Sequence, residues 1–467
     1  MSGFDGNQGH PEEKTAGGRG EDMDQDQAAA GGGQAGGDED GEFIEAGDIA
    51  AEFAVDEGGA GQDDEGMGEE GEAGAGTDDD AEVEDMAGAT FEGHSDAVYC
   101  VAVNPKNHSQ FVSGGGDDKG YLWAVKEDGS VAGSCELGGH TDTVSTVGFS
   151  ADGSLVATGC YGGLLKVWEA STGALKHVLE GPEDVECLTW HTLGNVVLTG
   201  SQDGTVWMWE ATAGTCMQVF AGHESKVSCV MFTSSGKAIV TGSDDGTVRV
   251  WAPRTGECRH VFSGHGFHEG AVTCLARHPD PAQAAIVMSG GEDGAARVMH
   301  IQNKRVLGTM VHCDAGAGSV EAVGFCASHP WVATGGTDGG LKVWDSVSGT
   351  CRHTCMHPAA VTRLEWHPAA PVVFTACVDG NVRAWDARTG VCTSLFTGHT
   401  DMILDMRLVD LGLPPPQSGG PVGGDAFPPV LVVTASDDNS SKLFRWPSPD
   451  AENAAASPAP APATSSA

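Results

Sequence analysis

Short apolar runs bounded by turn residues recur along most of the chain, and the clearest two are Lys237-Ala238-Ile239-Val240-Thr241-Gly242 and Thr247-Val248-Arg249-Val250-Trp251. They are rich in β-branched residues and separated by an Asp-Gly turn, which predicts two antiparallel strands of one hairpin. Polar residues punctuate these runs at fixed places. Thr241 lies four residues before Asp245 and Trp251 six after it, with Gly222-His223 upstream. The same spacing holds for Ser113, Asp117 and Trp123, for Thr199, Asp203 and Trp209, for Thr334, Asp338 and Trp344, and for Thr375, Asp379 and Trp385.

A Trp N–H needs an acceptor when buried, a Ser or Thr hydroxyl both accepts and donates, and an imidazole passes the chain on to a carboxylate. Four such side chains tie the strands and loops of one sheet together. A repeat of roughly 40–45 residues with Gly-His in front and an aromatic behind is the signature of WD-repeat sheets. The fold class expected is all-β, an eight-bladed WD-repeat β-propeller spanning residues 89–446, with an acidic disordered leader at 1–88 and a short disordered tail at 447–467. Units open at Gly93-His94, Gly139-His140, Gly181-Pro182, Gly222-His223, Gly264-His265, near His312, at His357 and at Gly398-His399. Ala89 to Glu92 should supply the outer strand of the last blade and so close the ring. Several copies depart from the pattern: Gly162 stands at the aspartate position of blade two, Pro182 near the histidine position of blade three, and Met299 and Phe444 at the tryptophan positions of blades five and eight. Val409 to Pro429, rich in Pro and Gly, is an insertion between the first two strands of blade eight. It reads as slack, or as a lid on the face opposite the Asp-Gly turns.

Charge narrows the partners. The net formal charge is −43, and residues 1–88 carry 28 of the 67 acids but only Lys14 and Arg19 of the 24 bases, a local −26 that leaves −17 for the remainder. Direct binding to nucleic acid or to an anionic membrane would oppose this field, whereas a basic protein segment complements it. The leader has too few large apolar groups to offset ordering entropy. Its run from Phe43 to Phe53 is either a few apolar beads or a segment that folds on a partner. The chain opens with no basic start or apolar stretch, and no segment approaches the ~20 apolar residues that span a bilayer. Fourteen cysteines are scattered through strand-like runs, which favours a reducing intracellular compartment over a disulfide framework. Cys216, Cys258, Cys351 and Cys392 fill one repeat position and are expected to be small buried fillers.

Reactive chemistry finds little support. His223, Asp245 and Thr241 resemble a hydrolase triad in isolation, but the set recurs blade after blade, as a structural staple does. Cys351, His353, Cys355 and His357 alternate along one strand, where the first and last lie about 20 Å apart, too far to converge on one zinc ion. Ser234-Ser235-Gly236-Lys237 lacks the leading glycine of a phosphate-binding loop. No metal or cofactor and no enzymatic activity are therefore expected. The acidic residues that follow each Gly-His position are a better candidate: Asp96, Asp142, Asp184, Glu224, Glu269, Asp314 and Asp401, joined by Asp244, Glu292 and Asp437 from the positions just before the turn aspartates. Strand alternation places both sets at one mouth of the ring, around the channel. They read as a binding surface for a Lys/Arg-rich segment or as ordinary turn chemistry. Tyr161, in the blade without its aspartate, would add a flat aromatic contact there.

Beyond the repeat positions, Gly116-Asp117-Asp118-Lys119, Gly163-Leu164-Leu165-Lys166-Val167-Trp168, Gly204-Thr205-Val206-Trp207-Met208-Trp209, Ser319-Val320-Glu321-Ala322-Val323-Gly324-Phe325-Cys326 and Val382-Arg383-Ala384-Trp385-Asp386-Ala387-Arg388-Thr389-Gly390 resemble the angio-associated migratory cell protein family. The likeness covers all eight repeats, including the missing histidine of blade three and the acidic leader. That family is in turn similar to a fungal WD-repeat chaperone that holds the basic N-terminal segment of a large-subunit ribosomal protein on an acidic face. The resemblance implies a non-enzymatic, monomeric escort in the cytoplasm, with the nucleus left open. A general scaffold for signalling or cell-migration complexes is the alternative.

Overall fold

A computed structural model describes residues 84–414, apart from Glu127 and Ala315, together with residues 427–447. Within them, thirty-two strands, β1 to β32 in chain order, form eight four-stranded antiparallel sheets. Blade four shows the plan: β14 (Cys229–Phe232), β15 (Ile239–Gly242), β16 (Val248–Trp251) and β17 (Cys258–Phe262) pair in chain order. One sheet departs from that order, because β1 (Ala89–Phe91) pairs with β32 (Ser441–Trp446), which pairs with β31 (Val430–Ser436) and then β30 (Ile403–Asp410). The first strand of each blade touches that of the next, and β30 touches β2 (Val98–Asn104), so the ring closes as expected.

The core lies between blades, because each sheet has two faces and no room for water on either. Leu122 of blade one, for example, packs in one buried cluster with Phe149 and Trp168 of blade two. Within blades, the staple forms as its donors and acceptors require. In blade four His223 bonds Thr241 Oγ1 at 2.7 Å and Asp245 Oδ2 at 2.9 Å, while Trp251 Nε1 donates to the same hydroxyl at 2.9 Å. Blade six uses the other ring nitrogen for each partner, His312 Nδ1 meeting Thr334 at 2.6 Å and Nε2 meeting Asp338 at 3.0 Å.

The departures have local substitutes. In blade five, which lacks its tryptophan, Arg297 bonds Asp293 at 2.8 Å and donates to Phe267 O at 2.8 Å. In blade seven Asp379 pairs with Arg383 at 2.6 Å, and His357 Nδ1 turns instead to Gly339 O at 3.0 Å. Blade two has no substitute. His140 Nε2 bonds Thr158 at 2.7 Å, but its Nδ1 is buried without a hydrogen-bond partner, because Gly162 brings no carboxylate.

Three expectations need correction. The staple histidine of blade five is His268, bonded to Ser289 at 2.7 Å and Asp293 at 2.9 Å, and not His265, which is exposed. A turn at Gly264, whose φ is +89°, and Gly266 at +84° lengthens that loop by three residues. Cys216, Cys351 and Cys392 are exposed and Cys258 is half-buried, since they sit on outermost strands with one face to solvent. Finally, the end of the leader is held: Met86 N donates to Thr397 O at 3.0 Å, Gly88 N to Leu443 O at 2.8 Å, and Asp85 pairs with Lys442. The apolar run Phe43–Phe53, the middle of the blade-eight insertion at 415–426 and the tail beyond Pro447 lie outside the described residues.

Candidate protein-binding face

One backbone hydrogen bond per blade joins the loop that follows the histidine position to the tight turn of the same blade. Gly116, Tyr161, Gln202, Asp244, Glu292, Thr337, Val378 and Asp437 each donate an N–H to that loop, at 2.9–3.3 Å. These eight residues occupy one position in eight blades. Both sets of predicted rim carboxylates therefore lie at one mouth of the ring. Asp96, Asp142, Glu224, Asp244, Glu269, Glu292, Asp314 and Asp401 are exposed there, and Asp184 and Asp437 are partly buried.

Some of these acids also do turn chemistry. Asp96, Asp142 and Asp401 each accept a hydrogen bond from the next backbone N–H, at 2.8, 2.7 and 2.7 Å, and Glu292 accepts one from Ala271 at 3.2 Å. A carboxylate has two oxygens and room for about four bonds, so one turn bond leaves most of its capacity free. Among the described residues, Asp244 is the one rim acid with a cation within 4 Å, Lys226 at 3.9 Å. Burial pushes the Asp244 carboxyl up, Lys226 pulls it down, and nearby Glu292 and Asp245 raise it. The ring is interrupted at blade seven, where Ala359, Ala360 and Val378 stand at the equivalent places.

The inner strands add groups that sequence reading missed. After a buried valine or isoleucine at or just before the head of each one come Tyr99, Ser145, Glu186, Ser228, Thr273, Glu321, Thr362 and Leu404. Where the residue is a hydroxyl it bridges blades: Ser145 donates to Val185 O at 2.6 Å and Thr362 to Ile403 O at 2.7 Å, while Ser228 and Thr273 bond Val272 O and Val320 O. Glu186, Glu321 and Tyr99 break that series at the channel mouth. A signal existed in the sequence, since each follows a valine at the start of an inner strand. Lys226 lies 3.8 Å from Glu186. Burial raises the Glu186 carboxyl above its ordinary value, opposed by Lys226 and reinforced by Asp184 and Asp244.

Deeper in the channel the charges are balanced. Buried Asp405 accepts from Val101 N at 3.2 Å and pairs with Arg363 at 3.2 Å and Arg407 at 3.3 Å, and Arg407 also reaches Glu365 at 3.4 Å. A cavity of 470 Å³ is lined by Arg363, Glu365 and Arg407 together with Arg277. The alternating residues that the sequence sets too far apart for zinc have other partners: His353 bonds Arg388 O at 3.0 Å, the Cys355 thiol bonds Gly390 O at 3.5 Å, and His357 serves the staple of blade seven. No helix of the described residues is long and apolar enough to cross a membrane.

The repeat family described as WD domain, G-beta repeat matches residues 87–124, 133–169, 173–210, 214–252, 256–299, 306–345 and 349–386. Blade eight, with its insertion and Phe444, falls outside those seven matches. The angio-associated migratory cell protein of Homo sapiens is 35% identical over 384 residues, covering 80% of this chain and 81% of that protein, and the one from Canis lupus familiaris matches equally well. Among solved structures, Sqt1 of Saccharomyces cerevisiae superposes with a TM-score of 0.69 at 22% identity, over 78% of this chain and 99% of its own. Sqt1 of Chaetomium thermophilum, solved bound to the N-terminus of the ribosomal protein L10, gives 0.65 at 20% identity over 77% of this chain and 100% of its own. At such identity the structural likeness bears on the fold alone. The repeats and the full-length relatives together show that the chain belongs to the WD-repeat proteins and, within them, to the angio-associated migratory cell protein family.

Proposed function

We propose that this chain is a non-enzymatic escort that holds a Lys/Arg-rich segment of a partner protein, of the large-subunit ribosomal class, on its acidic mouth. The observation that carries the reading is the gathering of ten carboxylates at one mouth, of which, among the described residues, Asp244 alone has a cation within 4 Å. Sqt1 of Chaetomium thermophilum, of similar fold, was solved bound to the N-terminus of the ribosomal protein L10, which supports a ribosomal-protein segment as the client. A net −17 outside the leader works against nucleic acid and anionic lipid as direct ligands. All fourteen cysteines are free thiols, which supports a monomer working in the reducing cytoplasm or nucleus.

The test is recovery of bound proteins from the cells of origin across a salt series. A basic client should be retained at ~50 mM salt and lost by ~500 mM, where screening is complete within a few ångströms. The triple variant Asp244→Lys, Glu292→Lys, Asp437→Lys should lose that client at every salt. Retention of the same proteins by the variant, or at high salt, would favour a scaffold held by apolar contacts.

A further inference from the structure

The two exposed aromatic side chains among the described residues are Tyr99, 40% exposed, and Tyr161, 37% exposed, and both stand at the acidic mouth on adjacent blades. Aromatic rings elsewhere in the ring are buried or half-buried in the blades, so this pairing is a local feature of blades one and two. Tyr99 follows buried Val98 at the head of β2, where blades two, four, five and seven carry a bridging hydroxyl. Its ring has space because the neighbouring rim position is Gly116: a Cβ there would stand 3.4 Å from Tyr99 Cε2 and 3.1 Å from Asp96 Oδ2. Tyr161 occupies the rim position of blade two, where burial and the charges of Glu186 and Asp184 from blade three, with the Tyr99 hydroxyl, push its phenol up.

Five side chains from three consecutive blades thus share this part of the mouth: Asp96, Tyr99, Tyr161, Asp184 and Glu186. Asp96 and Asp184 have no ion pair among the described residues, and Glu186 has only Lys226, 3.8 Å away from blade four. The arrangement has a floor. Asp405, level with Val101 two residues below Tyr99, is already bonded to Arg363 and Arg407, so a guest cation gains nothing by going deeper. A ring face attracts a cation, and a planar guanidinium both stacks on the ring and forks to a carboxylate, whereas an ammonium is a compact, strongly hydrated point charge.

We propose that the mouth over blades one to three is a seat for one arginine side chain of the basic segment, stacked on Tyr99 and Tyr161 and forked onto Asp184 or Glu186. The proposal rests on the acidic-mouth reading above and adds a residue preference that charge alone does not supply. Lysine is attracted equally by any rim acid; arginine is selected here.

Hexa-arginine and hexa-lysine peptides binding to the full chain at ~150 mM salt test this. Wild type should bind hexa-arginine about tenfold more tightly than hexa-lysine. Tyr99→Leu with Tyr161→Leu should bring the two within about twofold by weakening hexa-arginine far more than hexa-lysine, and Tyr99→Phe with Tyr161→Phe should keep the preference, since both retain ring faces. An unchanged thermal midpoint confirms that each variant folds. Equal affinities for wild type, or a preference that survives the double Leu variant, overturns the seat. Glu269→Lys with Asp314→Lys, on blades five and six across the ring from the tyrosines, should weaken both peptides alike. If neither peptide binds wild type, the acidic mouth itself fails, an outcome distinct from binding without preference.

Discussion

Seven blades carry a stapling imidazole, and in blade two it has lost its carboxylate. Burial, helped by the charge of Lys166, pushes the His140 imidazole down to about 3. An unfolded histidine takes its proton near 6.5, so between pH 6.5 and about 3 the unfolded chain binds more protons than the folded one. His140 therefore lowers stability progressively as pH falls through that window. Gly162→Asp should restore the missing partner. Its Cβ would meet Thr141 Oγ1 at 2.2 Å, a clash relieved by rotating that hydroxyl, and Thr400 stands beside Asp438 in the same relation in blade eight. The variant is expected to gain about 1 kcal/mol in urea unfolding at pH 7 and to lose less stability between pH 6.5 and 4.5. No gain, or an unchanged pH slope, would mean that the lone ring nitrogen costs nothing.

Strand β1 shows how a short element closes a large ring. Ala89, Thr90 and Phe91 pair with Leu443, Lys442 and Ser441, and Phe91 stacks on Trp123 of blade one with centroids 4.9 Å apart. Three residues thus complete the last sheet and weld it to the first blade. Removing residues 1–83 should leave the thermal midpoint unchanged, whereas removing 1–92 deletes β1, exposes an edge of β32 and takes Phe91 away from Trp123. The second truncation should cost at least ~4 kcal/mol, from a buried aromatic and several ladder bonds. Equal melting of the two, followed by calorimetry, would show that closure does not depend on β1. The position and pairing of this strand were legible beforehand, because the last blade had only three strands of its own. The loop that displaces His268 was not, since Gly264-His265 copies the motif and only the three-dimensional path shows which imidazole reaches Ser289.

Across the whole ring, charge is organised by depth. Acids crowd the mouth, while beneath it Asp405, Glu365, Arg363 and Arg407 neutralise one another. The field therefore reaches outward from one end of the channel, and on the proposed reading a basic segment would be drawn to the mouth without threading through. Association of hexa-lysine with the full chain should accelerate as salt falls, with the rate constant dropping about tenfold between 50 and 300 mM and dissociation changing far less. Stopped-flow measurement on wild type and on the Asp244, Glu292 and Asp437 lysine variant distinguishes the cases, since the variant should show a shallower dependence. A salt-independent association rate in wild type would remove steering from the account.

Spacing alone determined the blade, because one hydroxyl, one indole N–H, one imidazole and one carboxylate satisfy each other only when strands and loops meet in that geometry. The positions of the rim acids were legible for the same reason: each stands one or two residues after the histidine position or one before the turn aspartate. Tertiary structure decided what spacing does not contain. Tyr99, Tyr161 and Glu186 come from three separate repeats and meet only because the ring closes and curves their strands toward a common channel. Whether a channel carboxylate is free or already paired depends on the neighbouring blade, as Asp405 with Arg363 and Glu186 with Lys226 show. Local hydrogen-bond stoichiometry is written along one chain segment, whereas charge pairing and aromatic contact depend on distance through space.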